Sequence, residues 1–218
     1  MATHDMKFLD GGVMRRIGRL VLIGLVGLCL SLGFVLSQAL AGPPTDSMKG
    51  TIDEVLRIIR DKELKQAAKA DERRSLLEKA VAERFDYQEM SRRALGAPWN
   101  QLSDKEKQEF VSLFQTLLTS SYAEKVESYS GEGVQYLNER TEKDYAEVRT
   151  KILSGKTEIP LDYRLINRGT DWRVYDVVVD GVSLVNNYRG QFTKILRASS
   201  YPDLVDQLRK KSDKLKSP

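Results

Sequence analysis

The side chains that could perform acid–base, nucleophilic or metal chemistry are few in this chain. Its 218 residues include one histidine and one cysteine, His4 and Cys29, and both lie within the first 41 residues. The remainder of the chain therefore offers no thiol nucleophile, serine–histidine pair, disulfide, or zinc or copper site built on histidine or cysteine. Any catalysis there has to use carboxylates, lysine, tyrosine or serine, and the sequence contains no glycine-rich phosphate loop.

Two aspartates are the best catalytic candidates. Asp176 and Asp180 stand on one predicted strand, and Tyr163 on a neighbouring strand could be their partner in an isomerase or hydrolase. An aspartate beside a glycine at the end of a strand usually makes a turn, which favours a structural role. Ser183 has no accompanying base, and we predict that it caps a helix instead of acting as a nucleophile. We therefore expect no catalytic residue and no metal site.

The first 41 residues have the pattern of an export signal. Three arginines, the last of them Arg19, precede the uncharged run Leu20–Leu36, and an Ala-Leu-Ala segment ending at Ala41 follows. A basic region, an apolar run and an A-x-A site together predict a cleaved signal peptide over residues 1–41. An uncleaved anchor stays open, because the run is close to the length of a membrane span. A translation start at Met14 also stays open.

Charge and composition exclude two further classes. The chain is 41% hydrophobic and 30% charged, which is typical of a globular protein and not of a disordered chain or a polytopic membrane protein. Without its first 41 residues it keeps 31 Lys and Arg against 29 Asp and Glu, a net charge of +2. A protein that follows nucleic-acid phosphates needs a basic stripe, so we expect no nucleic-acid partner.

Helical spacing dominates the first half of the chain beyond the export signal. We predict a polar linker over residues 42–50, and then a helix that starts at the capping box Thr51–Glu54. A second helix is predicted around Leu77, and a third follows Asp86 as its N-cap. The longest helix follows a second capping box, Ser103–Glu106.

From Val134 onward the apolar spacing changes from helical to alternating. After a first strand at Val134, further strands with one apolar face are predicted at Ala146–Ile152 and Ile159–Leu165. A last strand, Trp172–Asp180, is apolar on both sides near its end, and its alternation places Asp176 on the same face as Val174. Ser183 and Pro202 then begin two closing helices, and residues 211–218 are predicted to be a solvated tail. Helices followed by an antiparallel sheet of about four strands predict one α+β domain over residues 51–210.

Two stretches of the sequence resemble a known family. The first stretch consists of Leu95-Gly96, Trp99, Phe110, Phe114, Leu117-Leu118 and Tyr122. The second stretch is more specific and runs from Val174 to Phe192, with the sequence VYDVVVDGVSLVNNYRGQF. In this order, and behind an export signal, they resemble the MlaC family. Its members are periplasmic lipid carriers of an ABC transport system for outer-membrane lipid asymmetry, also known as toluene-tolerance auxiliary proteins.

The resemblance implies a fold similar to the NTF2-like cone, in which helices roof a curved sheet. It also implies a cavity for phospholipid tails, phospholipid as cargo without a cofactor, and shuttling through the periplasm. The implied partners are an inner-membrane Mla ABC transporter complex and an outer-membrane lipoprotein–porin complex. Because NTF2-like enzymes place carboxylates in their cones, an enzyme using Asp176 or Asp180 stays open as the alternative, as does a peptide-binding chaperone.

On this resemblance the lipid-binding residues come from the long helix, the apolar sheet face and the helix after it. From spacing alone, each of them is more often packed core than cavity wall. The predicted set is Phe110, Phe114, Leu117, Leu118, Val148, Ile152, Leu161, Tyr163, Leu165, Val177, Val179, Leu184 and Phe192.

Basic residues are candidates for the head group and for docking. Arg189 could meet a lipid phosphate with both arms of its guanidinium, although a surface ion pair is the favoured interpretation. The candidates for docking to a membrane complex share two predicted helices, for which a solvated face is the simpler interpretation: Arg92, Arg93, Lys105 and Lys107.

Overall fold

Helices come first along the chain and strands second, as the change of spacing predicts. The computed structural model describes residues 42–129, 133–155, 157–169 and 171–216, so the predicted signal peptide lies outside the described residues. The helices are α1 (Pro43–Arg60), α2 (Ala70–Arg84), α3 (Tyr87–Leu95), α4 (Asp104–Glu127), α5 (Leu184–Ala198) and α6 (Tyr201–Lys216). The strands are β1 (Gly133–Glu142), β2 (Tyr145–Ser154), β3 (Thr157–Asn167), β4 (Trp172–Val179) and β5 (Val182–Ser183).

Helix α1 begins earlier than the sequence pattern predicts. It starts at Pro43, so residues 43–50 are helical and are not a linker. Prolines in the first turn are preorganised for a helix and lack only amide donors that would be unpaired there. Glu139 of β1 accepts hydrogen bonds from Thr45 N and Thr45 Oγ1, at 2.9 and 2.6 Å, which ties the new start to the sheet. Thr51 is consequently an interior residue, and its hydroxyl donates to Ser47 O instead of capping the helix.

The other predicted caps are present. Asp86 accepts from Glu89 N at 2.8 Å, and Ser183 accepts from Asn186 N at 3.1 Å. Ser103 donates to Glu106 Oε2 from its backbone and its hydroxyl, and Glu106 N donates to Ser103 Oγ. Each cap satisfies amides at a helix start that have no partner within the helix.

The strands form one antiparallel sheet in the order β1-β2-β3-β4-β5. The predicted alternation is confirmed on its two central strands: Val148 pairs with Tyr163, and Ala146 pairs with Leu165, all four buried. Glu147 pairs with Arg164 on the other face, where both are partly exposed. The α+β class is thus confirmed, and the two-residue strand β5 is an addition to the four predicted strands.

A bulge in β4 changes the predicted face of its first residues. Leu165 pairs with Val174, whereas Arg164 pairs with Asp176, so Tyr175 is an extra residue without a partner on β3. Paired residues in a sheet point to the same side, so Val174 shares the inner face with Leu165. Asp176 instead lies on the outer face. The sequence predicts one common face for Val174 and Asp176, and this prediction is wrong because a single inserted residue reverses the alternation.

The last helix also differs from the prediction. Helix α6 continues to Lys216 and so extends into the segment predicted as a solvated tail, where Lys211, Asp213 and Lys214 are exposed. Ser212 within that stretch is only 3% exposed. In the described part of the chain no helix combines the length and the apolar character needed to cross a membrane.

One half of the molecule is a solid apolar core. Helices α3, α4, α5 and α6 surround it, and aromatic rings from α4 and α5 fill it. Phe114 meets Tyr188 and Phe192 edge-on, with ring centroids 5.2 and 5.5 Å apart, and Phe110 meets Phe192 at 5.6 Å. Such edge-to-face pairs stabilise a core beyond the apolar area that they bury.

Candidate functional site

A cavity of about 480 Å³ lies between the first two helices, the end of α4 and the inner face of the sheet. This volume falls within the range of small-molecule sites, roughly 300–1,000 Å³. Exposed residues, including Arg74, Lys125 and Ser128, border it on the side of α2 and the end of α4, so solvent reaches it there.

The cavity wall is mainly aliphatic. Strands contribute Val134, Ile152, Ile159, Leu161, Val177 and Val179, while α1 and α2 contribute Met48, Ile52, Val55, Leu56, Ile59, Leu77 and Val81. Leu118, Tyr122 and Val126 add the last turns of α4, and Tyr129 follows them. A concave apolar surface of this kind retains hydrocarbon because contact with it removes apolar area from water.

Two tyrosines on the wall have hydroxyls in different surroundings. Tyr163 is buried between β2 and β4, and burial raises the pKa of its hydroxyl well above the ordinary value, so the hydroxyl stays neutral. Tyr129 OH donates to Gly133 O at 2.8 Å and accepts from Gly133 N at 2.9 Å, which links Tyr129 to the first residue of β1. Within the described part of the chain, no group of three or more His, Cys, Asp or Glu side chains is placed to hold a metal ion.

Seven of the thirteen residues predicted to bind lipid line this cavity. They come from the end of α4, from the strands and from the start of α5: Leu118, Ile152, Leu161, Tyr163, Val177, Val179 and Leu184. The sheet pairings explain the grouping, because Leu161 pairs with Val179 and Tyr163 pairs with Val177 on the inner face. Lipid contact by these seven residues stays a prediction.

The other six predicted residues lie in packed core. Phe110, Phe114, Leu117 and Phe192 belong to the aromatic core between α4 and α5, and each is at most 3% exposed. Val148 and Leu165 are on the inner sheet face and fully buried, but they lie among side chains beside the cavity. Neighbouring rings fill the space around the three phenylalanines, so the structure leaves no opening at those positions.

The sequence prediction omitted the roof formed by α1 and α2. Ile52, Val55, Leu56 and Ile59 have the spacing of one apolar helical face, and that face lines the cavity. The available signal was therefore the helical stripe itself, which does not indicate what it faces.

The candidate catalytic group does not assemble. Asp176 lies on the outer sheet face and Tyr163 on the inner face, so the two cannot act on one substrate. The Asp176 carboxylate is 3% exposed and accepts from Arg164 Nη1, Ser183 Oγ and Val185 N at 3.0, 2.6 and 3.0 Å. It therefore fixes the start of α5 to the sheet. Asp180 is exposed in the β4–β5 turn, with φ of 48°.

The basic candidates lie away from the cavity. Arg189 is exposed on α5 beside Gly96, and it is not part of the cavity wall. Glu89 holds Arg92 and Arg93 at 2.6 and 2.7 Å. Hydrogen bonds from Arg92 and then Arg93 lower the pKa of Glu89 from 4.5 to about 2.

Comparison with known proteins decides the family. A family model described as "MlaC protein" matches residues 49–210, which is most of the chain. The chain belongs to the MlaC family. Its fold matches that of a phospholipid-binding protein from Ralstonia solanacearum solved in complex with a phospholipid, with a TM-score of 0.71 and 24% identity. That match covers 81% of this chain and 100% of the solved one.

A curated relative is similar over a shorter stretch. The "Intermembrane phospholipid transport system binding protein MlaC" of Haemophilus influenzae is 23% identical over 122 residues, 53% of this chain. The matched stretch spans 57% of the length of that relative.

Proposed function

We propose that this MlaC-family protein is a non-enzymatic phospholipid carrier that moves single lipids between two membranes. The observation that supports the proposal is the aliphatic cavity, open at one edge, between the α1–α2 pair and the sheet. The solved neighbour of the same fold holds a phospholipid, and the curated relative is named for intermembrane phospholipid transport. A carrier of this kind needs an apolar container and requires no catalytic side chain.

The energetics of an acyl chain explain why a protein cavity is needed. Each methylene removed from water contributes about 0.8 kcal/mol, so two tails of about 15 methylenes represent on the order of 20 kcal/mol before costs. Since 1.4 kcal/mol is a factor of ten in an equilibrium constant, escape into water is negligible even after large discounts. Lipid therefore leaves only when another apolar site receives its tails.

The compartment and the partners follow as parts of the same proposal. The mature protein works in the periplasm after removal of residues 1–41, and it receives and delivers lipid at two membrane complexes. We propose the inner-membrane Mla ABC transporter complex and the outer-membrane lipoprotein–porin complex as these partners. The curated relative is named as the binding protein of an intermembrane phospholipid transport system, which supports a role between two membranes.

The direct test uses one charge placed on the cavity wall. Leu161 lies on the inner face of β3 and lines the cavity, so Leu161→Glu would put a carboxylate among the lipid tails. We expect the wild-type protein, purified without detergent, to yield about one diacyl phospholipid per chain by mass spectrometry of an organic extract. The Leu161→Glu variant should yield less than about a tenth of that amount. A carboxylate among the lipid tails costs more than about 1.4 kcal/mol of binding free energy, and 1.4 kcal/mol lowers the affinity ten-fold.

Leu137→Glu is the matched control, because Leu137 is 50% exposed at a bulge in β1 of the same sheet. It should keep wild-type lipid content. Circular dichroism and thermal unfolding must show that both variants are folded. Wild-type protein that carries no lipid, or a folded Leu161→Glu protein that keeps it, would contradict the proposal.

The enzymatic alternative has its own test at Asp176. Asp176→Asn keeps an oxygen that can accept from Val185 N but weakens the pairing with Arg164. We expect a loss of stability of about 1–3 kcal/mol, as for a buried charged hydrogen bond. Transfer of fluorescent phospholipid between vesicles should stay at the wild-type rate at temperatures where the variant is folded. If the folded Asp176→Asn variant lost phospholipid transfer, the result would favour the enzymatic alternative.

A further inference from the structure

The charged residues of the cavity wall are gathered at one edge. Among the described residues that line the cavity, four are charged: Arg74 and Glu78 on α2, and Lys125 and Glu127 at the end of α4. Arg74 and Glu78 are one helical turn apart, and a hydrogen bond of 2.9 Å from Arg74 Nε to Glu127 Oε1 joins the two helices. A mainly apolar cavity thus has its charged residues on one side.

The arginines at this edge have N–H donors that their described contacts do not use. Glu127 Oε1 accepts from Arg74, and Glu127 Oε2 lies 3.7 Å from Arg73 Nη2, so one carboxylate serves two guanidinium groups. Arg73 Nε is buried and has no hydrogen-bond partner in the described part of the chain. Each guanidinium has five N–H donors, of which these contacts use a minority.

Lys125 adds a third cation with little to neutralise it. Its described contact is the ring of Tyr122, whose centroid is 5.9 Å from Nζ, and among the described residues it forms no ion pair. Glu127 on Arg74, and then the charges of Asp71 and Glu78, raise the pKa of the Arg74 guanidinium, so this group is cationic at every working pH. Lys125 and the free donors of Arg74 therefore remain available to an anion.

We propose that Arg74 and Lys125 bind the phosphate of a phospholipid whose tails fill the cavity, with Arg73 and Glu127 positioning Arg74. The inference rests on the proposed carrier function and adds a head-group subsite to it. A guanidinium matches phosphate oxygens in a bidentate geometry, and an ammonium binds them as a point charge. Because every glycerophospholipid contains this phosphate, the subsite separates phospholipids from neutral diacylglycerol and does not sort one head group from another.

Because this edge of the cavity is partly exposed to water, we expect the subsite to contribute only moderately to the free energy of lipid binding. Arg74 is half exposed and Glu127 is 17% exposed, so water screens the outer contacts while the inner ones lie at the cavity edge. A charge-assisted hydrogen bond in such a setting corresponds to about ten-fold in relative affinity. The aliphatic wall still provides most of the binding free energy.

The experiment measures lipid choice from one membrane. Delipidated protein is incubated with phosphatidylcholine vesicles that contain equal amounts of dioleoylphosphatidylglycerol and dioleoylglycerol, then separated, extracted and analysed by mass spectrometry. We expect wild type to take phosphatidylglycerol over diacylglycerol by about ten-fold. Arg74→Gln with Lys125→Gln should bring that ratio to within about three-fold of unity while the total amount of bound lipid stays similar. Inorganic phosphate equimolar with the lipid should leave the wild-type ratio unchanged.

A control variant removes one arginine and one lysine from the two helices that roof the cavity, α1 and α2. Arg57 on α1 and Lys79 on α2 are exposed and do not line the cavity, so Arg57→Gln with Lys79→Gln should keep the wild-type ratio. A wild-type ratio near unity, a ratio unchanged in the Arg74/Lys125 variant, or displacement of lipid by equimolar inorganic phosphate overturns the subsite and leaves the carrier function standing. Absence of any bound lipid in wild type overturns the carrier function itself.

Discussion

The aromatic core and the cavity are built from similar residues and differ in what faces them. Helix α4 takes part in both: Phe110, Phe114 and Leu117 lie in solid core, whereas Leu118, Tyr122 and Val126 border empty space. Rings from α5 interlock with the first group. Opposite the second group stand aliphatic side chains of the strands and of α1 and α2. The cavity therefore lies where the facing side chains do not interlock, and its wall residues are of the same types as those of the core.

Neighbouring leucines in α4 give the sharpest test of this difference. Leu117→Ala opens a hole in close-packed surroundings, so we expect it to lower the free energy of unfolding by about 3–5 kcal/mol. Leu118 lies at the edge of the same core but also lines the cavity, so Leu118→Ala mainly enlarges a space that already exists, and its cost should be smaller, about 1–2 kcal/mol. Urea denaturation of lipid-free protein measures both values. Equal losses would mean that the cavity closes around Leu118 in solution.

The sequence predicts the elements far better than it predicts the space between them. The alternation over Ala146–Ile152 assigned the buried face correctly, because each strand has one wet side. The bulge at Tyr175 in β4 could not be predicted from the sequence, because one extra residue beside a run of valines looks like a continuous apolar strand. The capping box at Thr51 was misleading because Pro43 and Pro44 start the helix earlier.

For a related reason, the sequence predicted only about half of the candidate site correctly: seven of the thirteen predicted residues line the cavity. The spacing in α4 marks Phe114 and Leu118 as apolar in the same way, and only the fold shows that Phe114 is enclosed in the aromatic core while Leu118, at the edge of that core, also lines the cavity. The family resemblance led to the expectation of a cavity, and the structure showed that α1 and α2 form one side of it. Which residue faces a hollow depends on distant chain segments, and no local pattern contains that information.

Acid should weaken the solid half through Glu89 of α3. Arg92 and Arg93 hold the folded pKa of Glu89 at about 2, below its ordinary 4.5, so its contribution is complete above about pH 4.5 and disappears as pH falls toward 2. Glu89→Gln should therefore cost on the order of 2–3 kcal/mol at pH 7 and almost nothing near pH 2. Denaturation of both proteins across this range measures the difference. A difference that is independent of pH would contradict the assignment.

Two valines on either side of Tyr163 complete the comparison, because one is in packed core and the other lines the cavity. Val148 pairs with Tyr163 from β2 and is fully buried away from the cavity wall, while Val177 pairs with it from β4 and lines the cavity. Val148→Phe has no room for the added ring, so it should lower stability by about 1–3 kcal/mol.

Val177→Phe can place the same ring in a space of about 480 Å³, so its stability should stay within about 1 kcal/mol of wild type. The ring then occupies volume that the acyl tails require, and the amount of lipid extracted per chain should fall. Opposite behaviour of the two variants in unfolding and in lipid content is the expected result. If Val177→Phe destabilised the protein as much as Val148→Phe, the space would have to be closed in solution, and the separation into core and container would fail with it.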